Sequence, residues 1–152
     1  MKSVLLFACC ALAAAGCNKA AFPETKPGGE LPASIMDPYL KIEQALADDS
    51  TDGIRQNAGE LTTASTTLGA PGMRIQTAAA QMTSAGELDD ARVKFGNLSE
   101  AIDNYMRGFK MSPPDGVRAA WCPMKSKPWL QEGDVIKNPY YGSEMPTCGE
   151  FR

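Results

Sequence analysis

Along "ELDDARVKFGNLSEAIDNYMRGFKM", residues 87–111, apolar and aromatic side chains recur every three or four positions: Leu88, Ala91, Phe95, Leu98, Ile102, Tyr105 and Phe109. That period places all of them on one face of an α-helix, and such a face has to be buried against other elements. The segments before it carry the same signal. "DPYLKIEQALADD" opens with Asp37 as N-cap and Pro38 at the first helical position, and sets Tyr39, Ile42, Ala45 and Leu46 on one side. After "DDSTDG", Ile54, Ala58, Leu61, Ser65 and Leu68 keep helical spacing up to "GAPG". Thr62, Thr63, Thr66 and Thr67 are poor helix formers, so packing must hold that helix. "MRIQTAAAQMTS" then gives a shorter helix with Met73, Ile75, Ala79 and Met82 mostly inward, and Ser84 with Glu87 fits a capping box for the long helix. Short connections between helices imply antiparallel neighbours. The expected fold is mainly α, an antiparallel bundle of about four helices over 37–111. Asp89, Asp90, Glu100 and Asp103 fall off the apolar face, so the bundle reads as scaffold without a site.

"SPPDG" at 112–116 ends the helical part. Beyond it, Pro123, Pro128, Pro139 and Pro146 alternate with Gly133, Gly142 and Gly149, which no long helix tolerates. Residues 112–152 are expected to form an irregular Cys/Met lobe with a small β part. "GVRAAWC" is one strand candidate and "DVIKNPYYG" a short second one closed by a turn. Trp121, Trp129, Tyr140 and Tyr141 would pack this lobe on the bundle, making 37–152 one domain.

The N-terminus carries Lys2 and then the apolar run "VLLFACCALAAAG", shorter than the ~20 residues of a membrane span. It reads as a signal peptide over 1–16. "AAGC" at 14–17, with Leu12 upstream, resembles a bacterial lipobox. The resemblance implies a lipidated, N-acylated Cys17 that anchors the chain to a membrane of the cell envelope, facing the periplasm. Asn18 after it resembles outer-membrane sorting in a Gram-negative cell. Residues 17–36 then form the lipidated cysteine and a Pro- and Gly-containing tether. With Cys9 and Cys10 in the signal peptide and Cys17 lipidated, Cys122 and Cys148 remain as thiols, in a compartment that permits disulfides.

Composition narrows the chemistry. The chain has no histidine, which excludes Ser-His-Asp and Cys-His hydrolases and removes the commonest metal ligand. A net charge of −3 gives no footprint for nucleic acid. There is no Cys-x-x-Cys of a thiol oxidoreductase, and the chain reads as a non-enzyme.

What stands out is sulfur. "WCPM" sets Met124 two residues after Cys122, and "MPTC" sets Met145 three before Cys148. These pieces, with "WL" and "VIKNPYYG", resemble a bacterial domain-of-unknown-function family found alone or fused to periplasmic adaptor (membrane-fusion) subunits of copper/silver efflux pumps. The resemblance implies an efflux pump or its adaptor as partner. Brought together, Cys122, Met124, Met145 and Cys148 present two thiolates and two thioethers, a soft donor set that selects Cu(I) or Ag(I). Trp121 or Trp129 would shield the ion. A second reading stands beside this one: a Cys122–Cys148 disulfide, worth roughly 3.5 kcal/mol by chain entropy, stapling a structural or protein-interaction module. Both readings require the two tail segments to meet.

Overall fold

The structure, a computed structural model, describes residues 28–152. The signal peptide, Cys17 and most of the expected tether lie outside the described residues. Four helices come first: α1 (Ala33–Ala47), α2 (Ile54–Ser65), α3 (Met73–Met82) and α4 (Leu88–Gly108). A three-stranded antiparallel sheet follows, formed by β1 (Val117–Cys122), β2 (Lys127–Glu132) and β3 (Glu150–Phe151) in the order β2-β1-β3. The protein is thus mainly α with a small β part. No helix among the described residues is long and apolar enough to cross a membrane.

Each helix packs on the next in the chain, and β2 packs on both α4 and α1. The stripe of α4 does what its period demands: Ala91, Phe95, Leu98 and Ile102 are completely buried. They meet Tyr39, Ile42 and Leu46 of α1, Ile54 and Leu61 of α2, and Ile75 and Met82 of α3 in one core, which Trp129 and Tyr140 of the C-terminal segment join.

Four sequence expectations need correcting. The first helix starts at Ala33, not at Asp37, and Pro38 lies inside it. Pro38 cannot donate to the carbonyl one turn back, a defect of about 3 kcal/mol in a helix interior. Burial of Leu31, Ile35 and Met36 offsets it, and these residues belong to the fold rather than to a tether. The capping box does not form: Glu87 is the N-cap of α4 without a side-chain cap bond, and Ser84 Oγ donates back to the Gln81 carbonyl. Asp90 serves this helix end instead, accepting from the Gly86 N–H and pairing with Lys94; the Lys94 bond first and the Gly86 bond second hold its carboxyl below the usual range. Met73 is 60% exposed rather than inward.

The fourth correction concerns the strands. β1 lies where "GVRAAWC" was expected, but its hairpin partner is "KPWLQE" and not "DVIKNPYYG". Pro128 disguises β2, yet a proline is tolerated there because β2 is an edge strand. Buried Gln131 organises the chain that follows. Its Oε1 accepts from Trp129 Nε1 at 3.1 Å and the Lys137 N–H at 3.0 Å, while its Nε2 donates to the Val135 carbonyl at 2.7 Å.

Candidate functional site

The alternation of β1 turns Ala120 and Cys122 inward, both completely buried, and leaves Ala119 and Trp121 half-buried on the other face. β3 pairs with β1 in the register Ala120↔Phe151 and Trp121↔Glu150. One step further along that register, Cys122 stands opposite Gly149, and Cys148 comes next. The two sulfur-bearing segments therefore run side by side at the end of the sheet.

Asn138 joins them. Its side chain is buried, and Nδ2 donates both to Cys122 Sγ at 3.3 Å and to the Cys148 carbonyl. Oδ1 accepts from the Tyr140 N–H at 2.8 Å, which fixes which way the amide points. The Asn138 N–H donates to the Pro146 carbonyl at 2.8 Å, and its own carbonyl accepts from the Gly142 N–H at 2.9 Å. One residue thereby holds "NPYYG", "MPTC" and the end of β1 in a single network.

Cys148 is half-buried, and its N–H donates to the Met145 carbonyl at 3.2 Å, so Met145 and Cys148 share one turn. Next to it, Gly149 lets the chain press on an aromatic: a Cβ there would come within 2.5 Å of Trp129 Cη2 and 3.0 Å of the Trp121 carbonyl. Trp129 is buried and stands edge-on to Tyr140, ring centres 6.0 Å apart. The remaining sequence-predicted residues do not converge. Met124 is 66% exposed on the turn between β1 and β2. Trp121 lies on the strand face opposite Cys122, with the Arg152 guanidinium 3.8 Å above its ring. Cys122 and Cys148 are free thiols. Among the described residues no three His, Cys, Asp or Glu side chains cluster as a metal cage.

A latch to the helices positions the loop that carries Asn138. Arg92 of α4 pairs with Asp49 at 2.5 Å and donates to the carbonyls of Pro139 at 3.2 Å and Leu46 at 3.3 Å. Asp49 also accepts from the Ser143 N–H at 3.0 Å. Ser143, through its side chain first and its N–H second, and then Arg92 hold the Asp49 carboxyl down at about 2. Gly142, at φ 53°, passes so close that a Cβ would overlap the Asp49 carboxylate and Arg92. Tyr140 finishes the anchorage. Its hydroxyl donates to the Pro128 carbonyl at 2.5 Å, its ring centre is 5.7 Å from that of Phe95, and burial pushes its phenol pKa well up.

Sequence reasoning missed two residues. Asn138 reads as a turn former before a proline, and nothing local signals its link to two cysteines. Glu43 was legible: with Tyr39, Ile42 and Leu46 it completes an i, i+3, i+4, i+7 set on the buried face of α1. Only 3% of it is exposed, burial lifts its carboxyl to about 8, and its Oε1 has no hydrogen-bond partner. The helical part is thus not devoid of candidate sites. No protein-family model matches this chain, nor does any curated protein or solved structure.

Proposed function

We propose that this is a lipid-anchored envelope protein that takes up a soft metal ion, Cu(I) or Ag(I), as an accessory to heavy-metal efflux. On this reading, the helices act as an antiparallel bundle carrying a C-terminal Cys/Met lobe, and the ion is cargo. The observation that carries the reading is the double donation of Asn138 Nδ2, to Cys122 Sγ and to the Cys148 carbonyl. An amide N–H aimed at sulfur is the outer-shell contact that steadies a metal-bound thiolate. Two thiolates, with a thioether from the same turn as one of them, make a low-coordinate soft site that discriminates against Mg²⁺ and Ca²⁺. The ligands are then Cys122, Cys148 and Met145, with Trp129 shielding the site. Met124 and Trp121 are left out, one by exposure and the other by the strand face it occupies. An efflux adaptor as partner rests on the resemblance of the tail motifs.

A second reading shares the same carrying geometry. Segments this close also suit a Cys122–Cys148 bridge stapling an interaction module, and reduction and oxidation would interconvert the two forms. Thiol counting in denatured, periplasmically purified protein, together with alkylation of the folded protein with and without Cu(I), separates them. The metal reading expects two titratable thiols, both protected from alkylation by one equivalent of Cu(I). No titratable thiol before reduction would favour the staple.

A further inference from the structure

A second site candidate lies along α1. A groove of about 630 Å³ runs between this helix and the end of β2. Its walls carry four carboxylates, Asp37, Asp48, Asp52 and Glu132, against one ammonium, Lys41, and Leu40 and Ala45 add apolar surface. Exposed carboxylates of this kind are ordinarily just a solvated face. What sets this groove apart is Glu43, which lines it while being only 3% exposed, and whose Oε1 lacks any hydrogen-bond partner. An unmatched buried acceptor costs about 1–3 kcal/mol, and a ligand with an N–H to offer would remove that cost.

We propose that the groove binds a flexible alkyl polyamine, a small molecule carrying two or more ammonium groups on a hydrocarbon chain, with Glu43 as the central carboxylate. Charge selects a cation. A metal ion is disfavoured because no three carboxylates or thiols among the described residues converge on one point. The acidic groups are instead strung out: Asp37 and Glu43 are separated by ~9 Å along the helix axis at 1.5 Å per residue. Separate point charges on an alkyl chain match that spacing, and the methylenes find Leu40 and Ala45. The volume is that of a small-molecule site rather than of a protein docking face.

Burial lifts the Glu43 carboxyl to about 8, with Lys137 opposing and Asp48 and Glu132 reinforcing; Asp37, Lys41 and Asp52 also line the groove. An ammonium arriving beside it favours the carboxylate. Binding is therefore coupled to release of a proton from Glu43 to solvent.

Isothermal titration of the full chain with spermidine at low ionic strength, in two buffers of different ionisation enthalpy, tests this. The expected result is one site, net proton release at pH 7, and affinity lowered about tenfold by Glu43→Gln, the loss of one charge-assisted hydrogen bond. Glu132→Gln, on an exposed wall, weakens binding without any risk to the fold, and butylamine binds more weakly than spermidine. Absence of spermidine binding, binding without proton release, or equal affinity in Glu43→Gln or Glu132→Gln overturns the proposal. So does binding of a lysine-rich peptide alone, which would make the groove a protein contact. Cys122→Ser leaves spermidine binding unchanged, so failure here and failure of the metal reading are separate results.

Discussion

The hydroxyl of Tyr39, in the first helix, accepts the backbone N–H of Leu130, 91 residues further along, at 3.0 Å. The same oxygen is 2.8 Å from Ser99 Oγ of α4, and the ring stacks on Phe95 with centres 5.3 Å apart. One completely buried side chain thus ties α1 and α4 to β2, the edge strand through which the sheet packs on the helices. Burial pushes the phenol pKa up, so it remains a neutral hydroxyl at physiological pH.

Tyr39→Phe keeps the ring but orphans the Leu130 N–H in the interior. The expected loss is about 1–3 kcal/mol in urea unfolding, the cost of an unmatched buried donor. Because β2 hangs from this bond, amide exchange of Leu130 should accelerate more than that of the core of α2.

Gly142→Ala places a methyl group against the Asp49–Arg92 pair in a left-handed backbone conformation. A loss of about 2–3 kcal/mol follows from strain and the disturbed latch. Gly59→Ala is the control: it sits inside α2 with open space around it and should stabilise by about 0.5–1 kcal/mol. Thermal unfolding of the two variants should move in opposite directions.

The helices were legible where apolar period alone decides. Phe95, Leu98 and Ile102 are as buried as their spacing demands, and α2 survives its threonines because Ile54, Ala58 and Leu61 are covered. The start of α1 was not legible, because Asp37-Pro38 carries a local start signal that the burial of Ile35 and Met36 overrides. β2 was hidden by Pro128, whose tolerance depends on an edge position that only the sheet order reveals. β3 has two residues and exists only through its pairing with Ala120 and Trp121. Of the candidate site, the residues Cys122, Met145 and Cys148 stand out in "WCPM" and "MPTC", whereas Met124 of the first piece is exposed. Asn138 does not stand out, since its role depends on segments 122 and 148 meeting in space.

Stability should fall as pH rises from about 4.5 to about 8, the ordinary and folded values for Glu43. Below that window both states hold the proton. Within it the unfolded chain loses the proton while the folded chain keeps it, so unfolding is favoured progressively; above it the slope ends. The span is on the order of 3–5 kcal/mol at 1.36 kcal/mol per unit. Glu43→Gln should flatten this part of the urea-midpoint profile and leave the protein more stable than wild type at pH 8.

On the proposed lipid anchor, Cys17→Ser should release the protein from the membrane fraction or leave it unprocessed, because the acyl chains would supply the anchorage. Mass spectrometry of the mature N-terminus checks this: a diacylglycerol-modified, N-acylated Cys17 is the expected species.

Competition titration of the reduced protein with Cu(I) against a chromogenic chelator tests the central claim most directly. One Cu(I) per chain should leave the chelator, and Zn²⁺ should not displace it. Cys122→Ser and Cys148→Ser should each abolish tight binding, and Asn138→Ala should weaken it by about 10–100-fold, as loss of an outer-shell partner does. Met145→Leu should weaken binding and Met124→Leu should leave it unchanged. Reduced protein that takes no Cu(I) from the chelator, or a Cys122→Ser variant that binds as tightly as wild type, would contradict the account.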